Sequence, residues 1–196
     1  MDNTDQKQNE EKVIYASKHD FLTGLPNRRY FDDKIKEFDK PENYPLLIAV
    51  IDIDGLKLIN DTYGHHVGDQ TIKQVANLLA ESWLPPAIIS RIGGDEFLIL
   101  SPKTTMEAYK QSLNDLIAKV SQIKIKEIQL SLSFGSAVKT DQSIDIDDVI
   151  TEAENSMYSN KVLRSQSSRN QTINALFNSL REKYDEERDH SDRVSR

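Results

Sequence analysis

The sequence predicts an α/β (α+β) domain in which short strands alternate with amphipathic helices. Three observations carry this. Leu46 to Ile51 is a continuous apolar run, as expected of a central strand covered on both faces. Ala87-Ile88-Ile89 and Phe97-Leu98-Ile99-Leu100 flank a Gly93-Gly94 pair, the pattern of a hairpin whose turn needs positive φ. Between and after these runs, apolar residues recur at helical spacing.

The elements follow in order. Residues 1–11 are polar, and Val13, Ile14 and Ser17 begin a helical stripe that ends near His19, so 1–18 is expected to be a tail and linker helix. Asp20 to Arg29 carries the turn signals Thr23-Gly24 and Leu25-Pro26-Asn27. Asn27 is placed to cap a helix whose apolar face is Tyr30, Phe31, Ile35 and Phe38 and which breaks near Lys40-Pro41. The strand Leu46–Asp54 ends in Asp52 and Asp54, which by the period of two share a face and call for a counter-charge. A hydrated Mg²⁺ suits such hard oxygen donors. Gly55–Tyr63 is expected to be a short helix, Gly64–Asp69 a loop, and the stripe Ile72, Val75, Ala76, Leu79, Trp83 a long helix stopped by Pro85-Pro86. After the hairpin come a helix over Thr105–Ser121, a strand over Ile128–Lys139 and a helix over Asp145–Leu163. Ile173, Leu176, Phe177, Leu180 and Tyr184 form a further stripe before a run of mixed charge.

Composition narrows the function. The 196 residues suit one domain with extensions, and the absence of cysteine excludes disulfides and zinc–thiolate sites and fits a cytoplasmic location. A net charge of −7 argues against binding a nucleic-acid polymer through its phosphates. No apolar run is long enough to insert into a bilayer. Individually, several polar residues have ordinary explanations. A Gly-Gly turn with two acids is a common solvated turn, Lys57 alone is a surface lysine, and His65-His66 marks a metal only where other ligands converge.

Taken together, Asp20-x-Leu22-Thr23-Gly24-Leu25-Pro26-Asn27-Arg28, Asp52-Ile53-Asp54-x-x-Lys57-x-x-Asn60-Asp61-x-x-Gly64-His65-x-x-Gly68-Asp69, Arg91-x-Gly93-Gly94-Asp95-Glu96-Phe97, Ser131-x-Ser133-x-Gly135 and Ala153-Glu154-x-x-Met157-Tyr158-x-x-Lys161 resemble the GGDEF domain of diguanylate cyclases. The resemblance runs from about His19 to Lys161, and the domain is drawn as 19–164. It implies a central mixed, largely antiparallel sheet surrounded by helices, like the catalytic domain of class III nucleotide cyclases. It implies condensation of two GTP into cyclic di-GMP with release of two pyrophosphates, by a homodimer using Mg²⁺ or, alternatively, Mn²⁺. It also implies the site: Asp52, the Ile53 carbonyl and Asp95 on the metal; Asp95 as base, supported by Glu96; Lys57 and Lys161 on phosphate. Gly93 and Gly94 would allow close phosphate approach, Asn60 and Asp69 would read guanine, and His65 matches a further substrate position.

Several positions depart from the family pattern. The product-inhibition motif, Arg-x-x-Asp, is replaced by Leu84-Pro85-Pro86-Ala87, so feedback inhibition by that route is not expected. Gly55 stands where an aromatic residue is common, Glu154 replaces an aspartate, and Arg164-Ser165 replaces a Gly-Arg phosphate contact. Residues 186–194 resemble the opening helix of an HD-GYP phosphodiesterase domain, with 165–196 as connector and His190 as that domain's first metal ligand. A second expectation is therefore a GTP-binding regulatory module that controls a linked phosphodiesterase. A cyclase of altered nucleotide choice is disfavoured by Asp69.

Overall fold

A computed structural model describes residues 13–164. The expected strands and helices are present, with two shifts. A helix over 13–18 (α1) precedes α2 (Arg28–Phe38), and β1 (Leu46–Ile53) leads to α3 (Leu56–Tyr63) and α4 (His65–Ser82). The hairpin β2 (Ile88–Gly93) and β3 (Glu96–Ser101) is followed by α5 (Met106–Val120), a two-residue hairpin pair β4 (Lys124–Ile125) and β5 (Ile128–Gln129), then β6 (Leu132–Lys139). Helix α6 covers 146–164. The chain divides into two compact units, 1–158 and 159–196, so the last residues of α6 belong to the second.

The main sheet has the order β2-β3-β1-β6, and all three pairings are antiparallel. One isolated parallel bridge, Asn27 to Arg91, joins the α2 entry to its edge. Every residue of β1 is buried, which explains its unbroken apolar run. Alternate side chains serve two cores. Leu47, Ala49, Ile51 and Ile53 pack with Ile72, Val75 and Leu79 of α4 and Leu113 and Leu116 of α5. Leu46, Ile48 and Val50 pack with Phe31 and Ile35 of α2 and Val149, Ala153 and Met157 of α6. Gly135 on β6 lets α6 approach, because a Cβ there would overlap the backbone of Ala153 and Met157. Trp83 and Tyr109 are core residues, their rings 6.1 Å apart, and burial pushes the Tyr109 phenol up to about 12.

The two shifts have local causes. The expected loop Gly64–Asp69 is instead the first turn of α4: Gly64 takes φ +85° and its carbonyl accepts from Val67 N at 3.1 Å. The buried stripe of α4 starts at Gly68, which periodicity cannot flag because glycine has no apolar side chain. The expected strand Ile128–Lys139 is interrupted at Leu130–Ser131. Both the Leu130 amide, at 3.0 Å, and the Gln129 side-chain amide, at 2.7 Å, donate to the Ile123 carbonyl, turning the chain back toward α5.

Candidate active site

The two acidic clusters of the sequence meet at one end of the sheet. Asp52 continues the even-numbered row of β1, so its side chain leaves on the face covered by α2 and α6. Its partner on β3 is Glu96, and on β6 it is Ser133. Two carboxylates directly opposite each other repel, and Asp52 is only 3% exposed. The main chain holds the arrangement: Ile53 N donates to the Asp95 carbonyl at 3.0 Å. Gly94 and Asp95 form the tip of the β2–β3 turn, and Gly94 has φ +48°, a conformation that favours glycine.

Asp54 has partners of its own at the same strand end. Its Oδ2 accepts from Ser131 Oγ at 2.8 Å and its Oδ1 from Ser133 Oγ at 2.6 Å. Asp52 is thus set against Glu96, and Asp54 against two hydroxyls. Among the described residues, no three His, Cys, Asp or Glu side chains converge as a metal group. Asp52 on β1, facing the turn that carries Asp95 and Glu96, still offers oxygen donors that fit a hard divalent cation, whose other positions water and phosphate oxygens would complete.

Helix α3 leaves β1 through Gly55 and displays Lys57 to solvent, while Leu56 and Ile59 anchor it in the core. Asn60 lies where α3 crosses α4. Its amide occupies the space a Cβ on Gly68 would take, one residue before the exposed Asp69. The expected pair Asn60 and Asp69 is therefore brought to one crossing. His65 is exposed in the first turn of α4, and His66 contacts Gln70 at 3.2 Å rather than joining a ligand set. Gly93 and Gly94 are exposed at the turn, with Asp95 and Glu96 half-buried beside them. Lys161 lies on α6 within the second unit. Ser165, His190 and the 165–196 connector lie outside the described residues.

Asp20 and Arg91 lie far apart in sequence, and the structure joins them. Arg91 Nη1 donates to Asp20 Oδ1 at 2.9 Å, while its Nε and Nη2 donate to the Gly94 carbonyl at 3.2 and 2.8 Å. Asp20 also accepts from Thr23 N and Thr23 Oγ1, at 2.9 and 2.7 Å. Burial works against the Asp20 charge, but the bonds from Thr23 and Arg91 outweigh it and hold the carboxyl below its ordinary value. The Arg91 amide donates to the Pro26 carbonyl at 2.9 Å, and Asn27 caps α2 through its Oδ1, 3.1 Å from Tyr30 N. The Asp20–Arg29 turn is thus the brace of the Gly-Gly turn.

Residues 17–167 match the family model for "Diguanylate cyclase, GGDEF domain". The chain belongs to the GGDEF-domain family. The diguanylate cyclase DgcM of Escherichia coli (strain K12) is 32% identical over 166 residues, covering 79% of this chain and 40% of DgcM. The cyclic di-GMP phosphodiesterase PdeR of the same organism is 29% identical over 164 residues, covering 82% of this chain and 25% of PdeR. This GGDEF chain thus spans well under half the length of these curated relatives. Among solved structures, the coiled coil and GGDEF domain of DgcB from Caulobacter crescentus, in complex with c-di-GMP, superposes with a TM-score of 0.73 at 27% identity. That match covers 81% of this chain and 87% of the DgcB chain. No helix among the described residues of this GGDEF domain is long and apolar enough to cross a membrane.

Proposed function

We propose that the domain is a diguanylate cyclase, joining two GTP molecules into cyclic di-GMP and releasing two pyrophosphates. The observation that carries this is the cross-strand pair Asp52 and Glu96 beside the Gly94-Asp95 turn. Two acids opposed at a sheet end supply hard oxygen donors that suit a divalent cation, and the glycines leave room for phosphate at the same place. The step is attack of a 3′-hydroxyl on an α-phosphorus, which is mainly a matter of positioning and charge neutralisation.

In this proposal Asp52, the Ile53 carbonyl and Asp95 hold Mg²⁺, or Mn²⁺ in its place, and Glu96 steadies the set. The bound ion would supply charge neutralisation on phosphate and acidify the attacking hydroxyl. Asp95 receives the hydroxyl proton, and Lys57 and Lys161 offset phosphate charge. Asn60 and Asp69 present an amide and a carboxylate to the guanine edge, a pattern adenine does not match, and His65 lines the substrate site. One domain holds one GTP, so turnover takes two domains related by a two-fold axis. A GTP substrate and the absence of cysteine support a cytoplasmic location.

Incubating concentrated protein with GTP and Mg²⁺ and separating the products chromatographically tests this. Cyclic di-GMP is the expected product, and its absence with GTP binding intact sinks the cyclase. The double variant Asp95→Ala, Glu96→Ala should yield none while remaining folded.

A second proposal is a GTP-binding module that regulates a covalently linked phosphodiesterase of the HD-GYP type. Similarity to PdeR, whose name is that of a phosphodiesterase, favours it, as does Arg164-Ser165 in place of a phosphate-binding Gly-Arg. GTP binding without product, together with a GTP effect on a longer chain, would select this alternative.

A further inference from the structure

The motif Ser131-x-Ser133 has no part in the chemistry above, yet both hydroxyls converge on one carboxylate. Ser131 Oγ donates to Asp54 Oδ2 at 2.8 Å and Ser133 Oγ to Asp54 Oδ1 at 2.6 Å. The Asp54 amide in turn donates to the Ser131 carbonyl at 3.0 Å. Ser133 is fully buried. Three bonds therefore tie the exit of β1 to residues 77 and 79 positions later in the chain. Hydrogen bonds to a charged acceptor are stronger than neutral ones, and here each carboxylate oxygen has its own donor.

Position gives this clamp its consequence. Asp54 is the last residue before Gly55, which takes φ +72° and caps α3 without any side-chain bond. Leu56 and Ile59 set how deeply α3 sits, but no side-chain cap fixes where it begins. The first two turns of that helix carry Lys57 and Asn60. A change in the Asp54 backbone would move both relative to Asp52 and Glu96.

We propose that Asp54, clamped by Ser131 and Ser133, is a positioning residue for nucleotide binding. It fixes the start of α3 and holds Lys57 and Asn60 in register with the acidic end of the sheet. Each Asp54 oxygen is engaged by a hydroxyl, and the clamp gives Asp54 a structural part rather than a place among the cation's donors. The inference rests on the cyclase reading for the roles of Lys57 and Asn60.

The test is titration of the full chain with a fluorescent GTP analogue in the presence of Mg²⁺. Ser131→Ala with Ser133→Ala should weaken binding roughly tenfold, the equivalent of about one charged hydrogen bond. Ser131→Ala alone should weaken it less, and Ser131→Thr, which keeps the hydroxyl, should restore it. The Mg²⁺ concentration at half-saturation should not change in any variant. Thermal melts follow folding, and the single Ser131 variants carry the test if the double variant does not fold. Unchanged affinity in folded variants, failure of Ser131→Thr to rescue, or a shifted Mg²⁺ requirement overturns the clamp as a positioning device. If the unmodified chain binds no GTP, the nucleotide-binding reading itself fails. If that chain binds and the variants match it, the clamp alone fails.

Discussion

Asp20 and Arg91, 71 residues apart, form an ion pair at 2.9 Å whose side chains are only 16% and 10% exposed. Through the remaining guanidinium donors the pair reaches the Gly94 carbonyl, so it braces the turn that presents Asp95. Asp20→Asn should lower stability by about 2 kcal/mol at neutral pH, the scale of hydrogen bonds to a charged group. The sign of the pH dependence follows from the lowered Asp20 carboxyl. The charged form is favoured in the folded state, so this stability is present above the unfolded carboxylate range. It is lost as pH falls through the lower folded value. Urea unfolding of both proteins from pH 7 downward should therefore show curves that converge in acid. A difference that persists or widens in acid would contradict the assignment.

At the other end of the sheet, Lys139 is 3% exposed, and its ammonium contacts both Asp39 oxygens, at 2.6 and 2.8 Å. Tyr44 Oη donates to the same carboxylate at 2.6 Å. Burial disfavours the lysine charge, but the Asp39 bond outweighs it, so the ammonium is held above its usual value. Asp39 stays partly exposed and can be rehydrated, so Lys139→Met should cost about 3 kcal/mol, the lower end for breaking a buried pair. Because the folded value is raised, this stability is present below the unfolded lysine range and fades as pH rises beyond it. Thermal melts from pH 7 to strongly alkaline solution should show the gap between Lys139→Met and the unmodified chain closing.

Much of this was legible in the sequence, and the rest was not for identifiable reasons. The apolar run of β1, the hairpin and the stripes of α4 and α5 follow from local periodicity. The meeting of Asp52 with Glu96 also follows once β1 and β3 are neighbours, because register sets which residues face each other. Asp20 with Arg91, Asp54 with the two serines and Asp39 with Lys139 are contacts across 71 to 100 residues between ordinary polar side chains. No local pattern distinguishes such residues from a solvated surface. The start of α4 was missed because a glycine, Gly68, occupies its first buried position.

Glycine at position 68 leaves room for the Asn60 amide. A Cβ there would overlap the Asn60 amide, while the helix around it is otherwise undisturbed. Gly68→Ala should leave the fold intact, since alanine favours helix by about 1 kcal/mol over glycine, and should displace Asn60. If Asn60 reads guanine, the expected result is weaker GTP binding with little change in ATP binding. Competition titrations measure both. Equal loss for the two nucleotides would show that Asn60 does not read the base.

The surface before β2 carries a prediction about regulation. Leu84 is 72% exposed and is followed by two exposed prolines and Ala87, with no charged group in the segment that could bind a phosphodiester. Adding cyclic di-GMP to a turnover assay should not lower the rate through a saturable site on this face. Saturable inhibition that is removed by Leu84→Ala or Pro86→Ala would refute the expectation.

Stability and function are separable at the acid pair. Asp52 and Glu96 are cross-strand partners, and like charges in that position are unfavourable by roughly 0.2–1 kcal/mol. Glu96→Gln keeps the size and hydrogen-bonding capacity of the side chain and removes one charge. Without divalent ions, the variant should melt at a slightly higher temperature than the unmodified chain. With GTP and Mg²⁺ the order should reverse, because a ligand that binds the folded state stabilises in proportion to its affinity, and the variant binds the ion more weakly. Thermal melts in chelator and in Mg²⁺ with GTP read both effects in one experiment. A variant less stable in chelator, or one that keeps the full Mg²⁺-dependent gain, would show that the carboxylate pair is not poised for a cation.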